Sequence, residues 1–270
     1  MINIFQLAGV IALAVAGGWL GRWLASRPRR VWLGAFLALM LPLILIAIAR
    51  KQPQWEFHAP WSWLMAERGE FALLAFLIPA LLGIPAARLP LPRQRLLVQT
   101  LGGLCVCSYS VLPFLMPPLH RPSLEKLHTR FDRHGVCIQG TRYTCGPAAS
   151  VTALRQLGIA ADEGALALRA HSSLYTGTPP DTLRAAIDEL YGAEGASTEF
   201  RYCRSLDELQ PPAVAALKHS VLNDHYVAVI KIGADDVILG DPLHGLVIMS
   251  RAAFLKRWRN CAILFRRKSG

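Results

Sequence analysis

Acidic side chains are scarce in the first 120 residues, which hold three of them against ten basic ones. None of the three stands at mid-depth of a long apolar run, so the intramembrane carboxylates that proton and ion pathways need are missing. The six cysteines form no Cys-x-x-Cys pair and no Cys/His spacing typical of zinc, and Cys105 and Cys107 fall within an apolar run. A metal site is thereby discounted, and no cofactor is expected. No Gly-x-x-x-x-Gly-Lys-Ser/Thr phosphate loop occurs anywhere in the chain. A basic stripe unbroken by acids is also lacking: residues 121–270 interleave 19 basic with 15 acidic residues, +4 of the total of +11. Interleaving of this kind marks a solvated face rather than a phosphate-tracking one, and nucleic acid is not expected as a partner.

Apolar residues, in contrast, make up 53% of the chain. Every run of bilayer length falls before residue 118: 3–21, 31–49, 71–87 and 97–116 are each close to the roughly 20 residues a helix needs to cross about 30 Å of hydrocarbon. The sequence therefore predicts a transmembrane region over 1–120 with four spanning helices, a linker over 121–134 and a separate domain over 135–270. The first run has no basic stretch before it and a second long run directly after it, so it is expected to stay attached rather than to be cleaved as a signal peptide.

Arg22, Arg27, Arg29 and Arg30 follow the first run and Arg88, Arg93 and Arg95 the third, whereas Arg50, Lys51 and Arg68 share their loop with three glutamates. The loop rule places both Arg-rich loops in the cytoplasm, although Arg121, Lys126, Arg130 and Arg133 pull the other way. An even number of crossings then puts the last domain outside, with the helices expected in a bacterial inner membrane. Trp55, Trp61 and Trp63 in the second loop suit a segment lying at headgroup level, or one packed on the last domain.

After about residue 130 the pattern changes to short alternating strands and amphipathic helices, an α+β domain. Helices are expected from Cys145 to about Leu157, over 161–171 and over 180–191. Strands are expected at 198–203, 213–218, 225–232, 236–240, 245–249 and 261–267, with a short helix at 251–259. In Gln139-Gly-Thr-Arg-Tyr-Thr-Cys145-Gly-Pro a cysteine opens a helix, where backbone N–H groups and the helix dipole favour a thiolate. Gln139 is a candidate oxyanion donor together with the Cys145 N–H. Asp224-His225-Tyr226-Val puts an imidazole, the general base, at a strand mouth, and Asp241, sixteen residues on, ends the next strand where it can fix the tautomer of His225.

In this order and spacing the residues resemble the C39 peptidases, papain-like cysteine peptidases best known as leader-cleaving domains of bacteriocin-exporting ABC transporters. The likeness runs over about 134–267 and includes the Gly177-Thr-Pro-Pro-Asp-Thr-Leu helix entry, the Asp241-Pro turn and the Phe254–Trp258 helix. It implies a papain-like fold and thiol proteolysis of a peptide or protein substrate. Cys145 would be nucleophile, His225 base, Asp241 orienter and Gln139 part of the oxyanion hole. A separately encoded transporter is then an expected partner, beside the lipid bilayer. Two departures stand out: Thr144 precedes Cys145 where the exporters carry an acidic residue, and the membrane helices come first with no ATPase after them.

Each residue also has a plainer reading. A cysteine at a buried helix start is commonly structural, an Asp before Pro is a common turn former, and a loop glutamine needs no explanation. His219 and His244 are alternative bases on composition alone; Cys203 and Cys261, in expected strands, are buried thiols, and outside the cytoplasm they or Cys137 are candidates for a disulfide. The rivals to a membrane-anchored peptidase are a peptide-binding or regulatory module without turnover, and an amidase, deamidase or transpeptidase using the same Cys-His-Asp set.

Overall fold

In a computed structural model the described residues are 4–49, 52–65, 69–219 and 224–268. Arg50, Lys51 and Arg68, used above for orientation, lie outside them, as does the side chain of Trp63. The chain divides into two units, Met1–Pro118 and Leu119–Gly270.

The first unit is helical: α1 (Ile4–Ala25), α2 (Arg29–Ala49), a short α3 (Trp61–Met65), α4 (Gly69–Arg88), α5 (Pro92–Val106) and the start of α6 (Leu112–Leu124). A π-type turn over Cys107–Val111 joins α5 to α6, so that Pro92–Leu124 runs as one long helix past residue 116, where the apolar run was expected to end. Four helices are long and apolar enough to cross a membrane: Phe5–Ala25, Arg29–Ala49, Gly69–Arg88 and Pro92–Leu124. Glycines let α1 and α4 pack backbone to backbone, since a Cβ at Gly17 would run into the Phe76 carbonyl and one at Gly21 into that of Ala80. Small residues at such a crossing are what helix association in lipid favours. Arg88 donates to the carbonyls of Ala25 (2.7 Å) and Arg27 (3.0 Å), satisfying acceptors that the end of α1 leaves open. Trp55 and Trp61 stack with ring centres 5.5 Å apart.

In the second unit, the stretch expected as a linker holds the last turn of α6 and the strand β1 (Arg130–Phe131), which pairs with β2 (Cys137–Ile138). Three helices follow, α7 (Cys145–Gln156), α8 (Glu163–Arg169) and α9 (Pro180–Tyr191). Then come β3 (Ala196–Tyr202), β4 (Ala213–Lys218), β5 (Asp224–Ile232), β6 (Asp236–Asp241), β7 (Gly245–Ser250), α10 (Arg251–Arg257) and β8 (Trp258–Arg267). β3 to β8 form one six-stranded sheet, every neighbouring pair antiparallel, in the order β3-β8-β4-β5-β6-β7.

Two apolar layers follow from the strand alternation. Val214, Ala228, Ile263 and Phe265 face α7, α8 and α9 in one cluster, while Ala213, Ala215, Val227, Val229 and Leu264 join Phe254 and Trp258 in the other. Small side chains on α7, among them Ala148, Ala149, Ser150 and Ala153, are fully or nearly fully buried and let that helix lie close on the sheet. Gly240 of β6 answers them: a Cβ there would come within 2.9 Å of Thr152 Cγ2 and 3.3 Å of Val136. Thr152 in turn accepts from the Cys137 N–H at 2.9 Å, tying α7 to β2.

Candidate active site

Cys145 is the first residue of α7, so its backbone N–H has no intrahelical acceptor. The residues before it form a tight loop. Thr144, fully buried, exchanges hydrogen bonds with Thr141 through its hydroxyl at 3.1–3.3 Å, and the Gln139 N–H donates to the carbonyl of Pro242 at 3.0 Å. That last bond joins the loop before Cys145 to the turn after Asp241.

β5 and β6 are neighbours with Ala228 opposite Gly240, which brings His225 and Asp241 to the same end of the two strands. His225 Nε2 lies 2.8 Å from Asp241 Oδ1. Asp241 is acceptor-only when ionised, so Nε2 carries the proton in that bond and Nδ1 remains for a second partner. The Cys145 side chain acts on the same ring. Burial works to lower the His225 pKa, but the hydrogen bond to Asp241 and the effect of Cys145 outweigh it and hold the pKa at about 9. For Asp241, burial works upward. Hydrogen bonds from His225, the Leu243 N–H (2.8 Å) and His244 nevertheless keep it well below the usual carboxylate range. The site thus favours a protonated His225 between the Asp241 carboxylate and the Cys145 sulfur.

Gln139 stands in the loop before Cys145, and its Nε2 donates to the carbonyl of Thr141 at 2.7 Å. One of its two amide hydrogens is therefore engaged within the loop, and its buried Oε1 has no hydrogen-bond partner among the described residues. Of the alternative bases, His219 lies with its ring centre 5.8 Å from that of His225, and His244 meets Asp241 on the oxygen away from His225.

Glu163, at the head of α8, went unnoticed in the sequence. It is fully buried; Oε1 accepts from the Gly140 N–H at 2.9 Å, and burial pushes its pKa up. Nothing in the pattern flags a carboxylate that folds inward, since glutamate at a helix start is ordinarily a solvated one. All six cysteines are free. Burial pushes the thiols of Cys137 and Cys203 up to about 12 and about 11, which marks them as inert beside Cys145.

A model of the Peptidase C39 family matches residues 133–270, just over half of the chain. An uncharacterized protein of Methanothermobacter thermautotrophicus is 29% identical over 119 residues, 44% of this chain and 79% of that one. Another from Methanothermobacter marburgensis is 29% identical over 118 residues, 44% and 78%. Among solved structures, the peptidase domain of Streptococcus ComA, a bifunctional ABC transporter of a quorum-sensing pathway, is similar at 20% identity and a TM-score of 0.43, covering 48% of this chain and 96% of that one. A double-glycine-motif protease from an AMS/PCAT transporter, in complex with its leader peptide, is similar at 13% identity and a TM-score of 0.43, covering 53% and 96%.

Proposed function

We propose, from the premise that this chain belongs to the peptidase C39 family, that it is a membrane-anchored cysteine peptidase acting on leader-type or other small peptides. The observation that carries the reading is the 2.8 Å bond from His225 Nε2 to Asp241 Oδ1, with Cys145 at the head of α7 beside the same ring. Asp241 fixes the tautomer and orientation of the imidazole, leaving Nδ1 for the thiol. With the Cys145 proton already held on the His225 imidazolium, the thiolate sulfur attacks the scissile carbonyl carbon. The oxyanion that forms is received by the Cys145 N–H and by the second amide hydrogen of Gln139, whose first is spent on Thr141. Collapse of the tetrahedral intermediate breaks the C–N bond, and the His225 imidazolium gives its proton to the leaving amine. A water activated by the same imidazole then hydrolyses the Cys145 thioester.

The four apolar helices anchor the enzyme, with residues 135–270 on the outer face of the membrane, as the seven arginines of the first and third loops imply. A leader-type peptide is the substrate class we propose on the strength of membership in the C39 family. The test is incubation of detergent-purified protein with a peptide panel that includes double-glycine leaders. Cleavage by wild type that is lost in Cys145→Ala supports the reading. A full set of intact peptides alongside a reactive Cys145 would shift it to another acyl transfer.

A further inference from the structure

We infer that His244 is a positioning residue for this hydrolysis, holding Asp241 by the oxygen that His225 does not use; the inference rests on the Cys145–His225–Asp241 reading above. An Asp side chain is broad and two-fold about its last torsion, so a carboxylate bonded on one side only can turn its oxygens away from the partner. Here both oxygens are engaged. Oδ1 accepts from His225 Nε2 and from the Leu243 N–H, each at 2.8 Å, and Oδ2 lies 3.0 Å from His244 Nδ1. Since the carboxylate only accepts, Nδ1 of His244 carries the proton. The His244 side chain is 68% exposed against 16% for Asp241, so core packing does not account for where its ring lies.

The turn that delivers His244 is itself braced. The His244 N–H donates to the Asp241 carbonyl at 3.2 Å, closing an Asp-Pro-Leu-His turn. Asp132 accepts from the Leu246 N–H at 3.2 Å on one oxygen and from the N–H groups of His134 and Val136 at 2.8 Å on the other. Gly245 adopts φ +80, and a Cβ there would collide with the same Asp132 carboxylate. His244 is thus carried on a rigid turn and directed at the far oxygen of Asp241, which keeps the near oxygen on the His225 ring.

Asparagine presents its Nδ2 at the same distance along the side chain as the Nδ1 of histidine, which gives a conservative rescue. The measurement is the rate of Cys145 carbamidomethylation, and kcat and KM on a cleaved peptide, for wild type, His244→Ala, His244→Asn, Asp241→Asn and the Asp241→Asn/His244→Ala double variant. The expectation is a slowing of roughly three- to tenfold in His244→Ala, borne by kcat rather than KM, as for loss of one hydrogen bond of ordinary net strength on an exposed side chain. His244→Asn should return to within about twofold, and His244→Ala should add nothing to Asp241→Asn, because the carboxylate it positions is gone. Wild-type rates in His244→Ala, or an Asn variant as slow as the Ala one, overturn the positioning role. If wild-type labelling is instead insensitive to His225→Ala, the triad reading itself fails, which separates the two.

Discussion

Replacing Asp241 by asparagine keeps the shape of the side chain and removes its charge. In the intact protein the His225 pKa rises from 6.5 to about 9 although burial opposes it, with the Asp241 hydrogen bond the largest contribution in the upward direction. At about 1.4 kcal/mol per unit, the gap corresponds to roughly 3 kcal/mol favouring the imidazolium. The sign follows from the direction: this stabilisation is fully present below pH 6.5 and is lost as pH rises through about 9. Without the carboxylate, burial acts on a ring supported by Cys145 alone, and the pKa should fall back to its ordinary value or below. An imidazolium that deprotonates earlier holds less thiolate beside it and hands over its proton less readily. Labelling of Cys145 and peptide turnover near neutral pH should therefore drop about ten- to hundredfold, a loss of roughly 1.4 to 2.8 kcal/mol. The assay is the pH profile of both rates: the alkaline limb near pH 9 in wild type should move down towards pH 6.5 or below. An unchanged limb and unchanged rates in a folded Asp241→Asn protein would refute the coupling.

Glu163→Gln retains the acceptor for the Gly140 N–H and removes a buried carboxylate whose pKa burial has raised. Because a raised carboxyl pKa loses stability as pH rises through it, the variant should melt a few degrees higher than wild type near pH 8. The difference should vanish towards pH 4, as thermal scans would show. Gly240→Ala puts a methyl group 2.9 Å from Thr152 Cγ2, between α7 and β6, and should cost about 1–3 kcal/mol in urea unfolding. A reporter fused after residue 120 should give the extracytoplasmic signal, and a cytoplasmic one would reverse the orientation drawn from the arginine loops.

The places of the candidate residues in the fold were largely legible because they sit where local patterns switch. Cys145 opens α7 directly after a polar loop, His225 starts the alternation that buries Val227 and Val229, and Asp241 closes β6 before a proline. A hairpin pairing of the two strands then brings His225 and Asp241 together, and β5 and β6 do pair. The features that escaped the sequence have no pattern of their own. β1 and β2 are two residues long, too short for alternation to show. The apolar run ends at 116, yet α6 runs on through Pro117, Pro118 and Pro122 to Leu124, after a π-type turn that shifts the hydrogen bonding at its start. Glu163 looks like an ordinary first-turn acid until the fold buries it against Gly140. His244 looks like a spare base, whereas the turn geometry sets it on the far oxygen of Asp241.

On this chemistry the Cys145 sulfur is held reactive by His225. Iodoacetamide labelling of the purified protein at mildly acidic pH, with the modified cysteine identified by peptide mass mapping, is the decisive measurement. Rapid modification of Cys145 is expected in wild type, none at that position in Cys145→Ala, marked slowing in His225→Ala, and silence at Cys137 and Cys203, whose thiols burial has pushed up. Equal rates at Cys145 in wild type and His225→Ala would contradict it.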